Sequence, residues 1–199
     1  MGSVPVARWR MLTLAALLIT VGRVASASAD GSDDRRALVM LRVLAYDNHL
    51  DQRIGDEVRI VIVYPVGDEG VAEGRRWTQA FANIRKLKVS GRPVVVTAHK
   101  FETAKQLGRT LHDLRAAALV SCDGLGGAIA VAELAAVTRA SSVLSFSTRE
   151  SDVVRGLAVG IVPATTRDEI VVNLEAVGAE GVKFDAGLLQ LARKVKAAR

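Results

Sequence analysis

The sequence predicts a single three-layer α/β domain: a mostly parallel sheet, helices on both faces and an antiparallel edge at the carboxyl end. Three observations carry that expectation. Short apolar, β-branched runs alternate with helical stretches along the chain. The clearest run, Val58 to Tyr64, is nearly continuously apolar, as a strand covered on both faces must be. The last two strand-like runs are separated only by Pro163 to Asp168, enough for a hairpin but too short for a crossover helix.

Taken in order, Arg35 to Leu50 places Leu38, Leu41, Val43, Leu44 and Leu50 on or near one helical stripe, with Asp33 or Asp34 as a cap. Pro65 ends the strand Val58 to Tyr64. Gly74 to Leu87 follows as a helix, with Trp77, Phe81, Ile84 and Leu87 facing inward. Pro93 to Thr97 is the second strand, Thr103 to Leu114 a helix, Ala116 to Cys122 the third strand and Ala128 to Val137 a helix. Ser142 to Ser147 is the fourth strand. Leu157 to Val162 and Glu169 to Leu174 form the closely spaced pair, and Asp185 to Lys196 the closing helix. There is no internal repeat or long linker, and about 170 residues suffice for one core.

The first 29 residues read as a cleavable secretory signal peptide, with residues 30–199 as the mature domain. Arg8 and Arg10 precede the apolar run Met11 to Val21, and Ala25-Ser26-Ala27 and Ala27-Ser28-Ala29 supply small-residue cleavage sites. The run is shorter than the about 20 residues of a transmembrane helix. The expected product is a periplasmic protein beginning near Ser28 or Asp30, with no membrane span. The chain's 27 basic and 21 acidic residues give +6, and loss of Arg8, Arg10 and Arg23 with the leader leaves +3. That mild, unclustered charge argues against nucleic-acid binding. A single cysteine, Cys122, excludes an internal disulfide.

The chemistry-bearing residues are few. Asp123-Gly124-Leu125-Gly126-Gly127 follows the third strand and leads into a helix, where open α/β sheets bind ligands and helix N–H groups receive anions. It is neither a dinucleotide fingerprint nor a phosphate loop, and it also serves as a tight turn. Ser145, Ser147 and Thr148 close the fourth strand, where hydroxyls suit a polar ligand or cap a short helix near Ser151, and Arg149 suits a carboxylate. His49, His99 and His112 lack metal-loop spacing, no Gly-x-Ser-x-Gly elbow is present, and Cys122 ends an apolar run as inert thiols do. No metal or cofactor is expected, and recognition is favoured over turnover.

Three segments carry a resemblance. Gly156 to Val162, Glu169 to Ala176 and Val182 to Ala192, with Asn173-Leu174 and Leu188-Leu189-Gln190-Leu191-Ala192 the most specific, resemble the periplasmic YfiR/HmsC-like family. Upstream, Gly91 to Val96 is similar to the segment entering that family's second strand. The chain departs in having no Phe between Leu41 and Tyr46 and no cysteine beyond Cys122.

The resemblance implies a non-catalytic regulator that binds the periplasmic part of an inner-membrane signalling protein and represses a diguanylate cyclase, limiting biofilm formation. It also implies a homodimer. The partner surfaces would be the first helix, with Leu41, Leu44 and Leu50, and the closing helix, with Leu188, Gln190 and Leu191. The alternative is a periplasmic small-molecule binding or sensing domain, with its site at Asp123, Gly124, Gly126, Gly127, Ser145, Ser147 and Arg149.

Overall fold

The computed structural model describes residues 26–197 except 126 and 166, with the side chains of residues 26–30 and 127–129 left aside. Of the leader expected over residues 1–29, residues 1–25 lie outside the described residues. The elements run α1 (Ser26–Ala45), α2 (Leu50–Arg53), β1 (Val58–Tyr64), α3 (Asp68–Asn83), β2 (Lys88–Val89), β3 (Arg92–Lys100), α4 (Ala104–Asp113) and β4 (Ala118–Ser121). They continue α5 (Gly127–Ser141), β5 (Leu144–Ser147), α6 (Glu150–Val154), β6 (Val159–Val162), β7 (Glu169–Asn173), α7 (Leu174–Ala179), α8 (Ala186–Leu191) and β8 (Arg193–Val195).

All eight strands join one sheet in the order β2-β3-β1-β4-β5-β6-β7-β8. Strands β3, β1, β4, β5 and β6 are mutually parallel, with Val58 opposite Val94 and Val63 opposite Ser121. β7 is antiparallel to β6, pairing Val159 with Val172, as the six-residue connection requires. At the other end β2 folds back on β3 through Ser90 and Gly91, both at positive φ.

Two cores flank the sheet. One face packs Ile60, Ile62, Val120 and Phe146 against α1, α3, α7 and α8, through Leu44, Trp77, Phe81, Ala176 and Leu188. The other packs Val61, Val63 and Leu119 against α4 and α5, through Leu107, Leu111, Val131 and Leu134. Odd and even strand positions thus serve opposite helical layers, which is why β1 is apolar at all but Arg59.

Caps set several helix starts: Thr103, Asn173 and Asp185 accept from the N–H groups of Gln106, Ala176 and Gly187. Two expectations are corrected. Helix α1 begins upstream of Asp33 and Asp34, which lie inside it rather than at its cap. The closing helix stops at Leu191; Ala192 turns extended and β8 adds in parallel to β7. There the β7 edge finds its hydrogen-bond partners, and the Arg193 guanidinium spans Glu150 and Glu169.

Candidate functional site

The strand order reverses between β1 and β4: from β1 the chain winds through α3 to β3 on one side, and from β4 through α5 to β5 on the other. At such a point the two outgoing helices diverge onto opposite faces, and open α/β sheets bind ligands outside the carboxyl ends of the strands there. Three segments meet there: the loop Pro65–Gly67, the loop from Cys122 to Leu125, and Thr148 beyond β5.

A few polar contacts tie these segments together. Glu73, in the second turn of α3 and only 9% exposed, accepts the Asp123 backbone N–H at 2.6 Å. Burial raises its carboxyl above the usual carboxylate range; that hydrogen bond pulls it partly back and the nearby Asp123 charge raises it again. Thr148 Oγ1 donates to Asp123 Oδ1 at 2.8 Å, so β5 is tied to the same loop. Gly124 sits at φ +79°, a left-handed conformation that favours glycine, and a Cβ there would stand 3.8 Å from the Pro65 ring. The buried Leu125 side chain anchors the loop from below.

Two side chains beneath this floor face opposite layers. Cys122 is buried toward α3, and desolvation followed by the Glu73 and Asp123 charges pushes its thiol far up, so it stays protonated. Ser121 is 1% exposed on the α5 side, and its hydroxyl has no hydrogen-bond partner among the described residues.

The residues expected to bind a ligand divide accordingly. Asp123, Gly124 and Arg149 are exposed, Gly127 begins α5, and Gly126 lies outside the described residues. Ser145 and Ser147 are not at the rim: both are fully buried. The Ser147 hydroxyl donates to Asp152 Oδ2 at 2.8 Å and accepts the Arg149 N–H at 3.1 Å, organising the start of α6. Ser145 is bound to Glu180.

Of the expected partner-contact residues, Leu41, Leu44, Leu50 and Leu188 are 4%, 0%, 1% and 1% exposed and belong to the core, because α1, α8 and the short α2, which carries Leu50, turn their apolar residues inward. Gln190 and Leu191 remain on the surface, Leu191 at 70% exposure.

Sequence reading passed over Glu73 and Glu180. Glu73 had a signal, since it falls on the inward stripe shared by Gly70, Trp77, Ala80 and Phe81. Glu180 had none, because its partners come from α5 and β5.

Two surface grooves lie elsewhere. One runs between the end of β3 and α4, past His99, Lys100, Gln106 and Arg109; burial holds the His99 imidazole below its ordinary range. The other lies along Leu174, Glu175, Lys194 and Lys196 beside β8. Among the described residues, no group of three or more His, Cys, Asp or Glu could hold a metal ion, and no helix is long and apolar enough to cross a membrane.

An open, mostly parallel α/β sheet whose strand order reverses between β1 and β4 is an architecture that solved structures share. The chain is similar to the ligand-free, open structure of a substrate binding protein with adhesive properties from Clostridium difficile, at 12% identity and TM-score 0.56, covering 82% of this chain and 60% of that one. It is similar to the ABC domain in complex with L-Trp from Streptococcus pneumonia, at 10% identity and TM-score 0.59, with 82% and 60% covered. A conserved domain protein from Vibrio cholerae matches at 12% identity and TM-score 0.54, covering 81% and 59%. The chain therefore spans about 60% of the length of these proteins. At such identities the likeness is one of fold. No curated protein matches the chain by sequence. The chain belongs to the YfiR/HmsC-like family, whose pattern it matches over residues 70–193, from the first turn of α3 to β8.

Proposed function

We propose that this chain is an exported, periplasmic, non-catalytic domain that binds a small polar molecule in the crevice between β1 and β4. The observation that carries the reading is the convergence of Asp123, Thr148, Gly124 and Glu73 at the one place where the sheet's winding reverses. The fold shared with substrate binding proteins supports it. Asp123 presents a carboxylate to ligand N–H or ammonium groups, and Arg149 presents a guanidinium to an anionic group. The leader over residues 1–29 would deliver the domain to the periplasm and be removed there.

The test is isothermal titration of the exported protein with a panel of amino acids, nucleotides and sugar phosphates, repeated on Asp123→Ala and Arg149→Ala. Saturable binding weakened at least tenfold by either change supports the reading. Binding unaffected by both, or none across the panel, overturns it.

A second reading, supported by family membership over residues 70–193, is regulation of an inner-membrane signalling protein such as a diguanylate cyclase. Crosslinking in native envelopes distinguishes it, through recovery of one inner-membrane protein that carries a periplasmic sensor and a cytoplasmic cyclase domain.

A further inference from the structure

At the opposite end of the sheet from the crevice, Glu180 caps α7 with its side chain fully buried, as are Thr138 of α5 and Ser145 of β5. Glu180 Oε1 accepts from Thr138 Oγ1 at 2.6 Å and from Ser145 Oγ at 2.6 Å, and Oε2 accepts the Ser145 N–H at 2.9 Å. The Ser145 hydroxyl in turn accepts the Ala158 N–H at 2.8 Å, just before β6. One carboxyl group thus joins α5, β5, the start of β6 and α7.

Counting protons shows what this cluster can do. Thr138 has one hydroxyl proton and two acceptors within reach, Glu180 Oε1 and, at 3.2 Å, the Ala135 carbonyl of its own helix. With Glu180 ionised, both hydroxyls and the Ser145 N–H donate to it. With Glu180 protonated on Oε1, the acid donates to Thr138 Oγ1, and the Thr138 proton turns to Ala135 O. Ser145 need not move. Both states are fully hydrogen-bonded, so proton uptake leaves no orphaned polar group and removes a buried charge.

We infer that Glu180 is a proton-binding site built into the seam between α5, β5 and α7, with Thr138 as the hydroxyl that turns when the proton arrives. Charged neighbours are few. Arg139 of α5 favours the anion, but its guanidinium is shared with the Gly156 carbonyl at 3.3 Å. Arg53 reaches the Ser142 carbonyl ahead of β5 and is itself paired with Asp47. β5 and the start of β6 contribute only Ser145 and Ala158, which are uncharged. Glu175, on the same helix as Glu180, is exposed.

Burial outweighs the three donors and pushes the Glu180 carboxyl up to about 7, from 4.5 when unfolded. Between those limits the native state holds a proton that the unfolded chain has lost. Stability contributed by this group is therefore full below pH 4.5 and falls as pH rises to about 7, after which it changes no further. The folding equilibrium constant should drop on the order of a hundredfold across that window.

The experiment is a titration of the Glu180 side-chain carboxyl by carbon NMR on the exported protein, from pH 4 to 8.5, alongside urea unfolding of the wild type and Glu180→Gln. A carboxyl midpoint between pH 6 and 8, with matching movement of the Ser145 and Ala158 amide signals, is the expected result. The Gln variant should lose most of the wild-type fall in stability between pH 5 and 7.5. A Glu180 midpoint below pH 5 overturns the inference even if the variant fails to fold, as does a stability profile that the variant leaves unchanged.

Discussion

The Glu73 carboxylate holds the backbone N–H of Asp123 across 50 residues of sequence, and Asp123 in turn receives the hydroxyl of Thr148. A helix from one winding direction of the sheet is thereby fastened to the loop that starts the other. Replacing Glu73 with Ala leaves the Asp123 N–H without its acceptor and should cost about 1–3 kcal/mol. Glu73→Gln, which keeps a carbonyl acceptor, should cost less. Urea unfolding at pH 7 measures both, and equal losses would show that the hydrogen bond to Asp123 is not the source.

Gly70 and Gly178 are both helical, with opposite expected responses to alanine. A Cβ at Gly70 would collide with the Pro65 carbonyl, because α3 turns directly over the residue that ends β1. Gly70→Ala should lower stability by about 1–3 kcal/mol through overpacking. At Gly178 a Cβ meets nothing within 4 Å, so Gly178→Ala should stabilise α7 by up to about 1 kcal/mol. Thermal unfolding of the two variants side by side checks the contrast, and a destabilised Gly178→Ala would contradict it.

Cys122 should behave as a structural thiol. It is 2% exposed and its ionisation is suppressed by burial and by the Glu73 and Asp123 charges. Alkylation by iodoacetamide at pH 8 should be at least a hundredfold slower in the native protein than in urea. Comparable rates in both would mean that the thiol is accessible and activated.

Leu44 and Leu191 separate core from surface. Leu44→Ala empties a fully buried position and should cost about 2–5 kcal/mol, whereas Leu191→Ala should stay within about 0.5 kcal/mol. Capture of a membrane partner provides a further measurement: loss of capture in the stable Leu191→Ala protein would place the contact on α8, and retention would exclude that side chain.

The parallel sheet, its helical layers and the antiparallel return at β7 were legible along the chain, because each is written in local apolar period and connection length. The short elements were less so. β8 follows α8 through a single residue, and its pairing partner lies some 22 positions earlier, where no local pattern reports it. Ser145 and Ser147 read as rim hydroxyls because a strand's carboxyl end suggests a site. Their burial depends on Glu180 and Asp152, which face them from other segments.

By itself the sequence determined the types of the longer elements, the absence of any disulfide within the chain and the glycine loop that leads into α5. These follow from side-chain period, composition and backbone freedom, all properties of neighbouring residues. The tertiary structure alone decided the strand order, hence where the winding reverses, and which leucines are core and which remain on the surface. It also brought Glu73 to Asp123 and Glu180 to Thr138 and Ser145. Those contacts span between 35 and 50 residues, so a carboxylate's burial and its donors exist only once distant segments have packed around it.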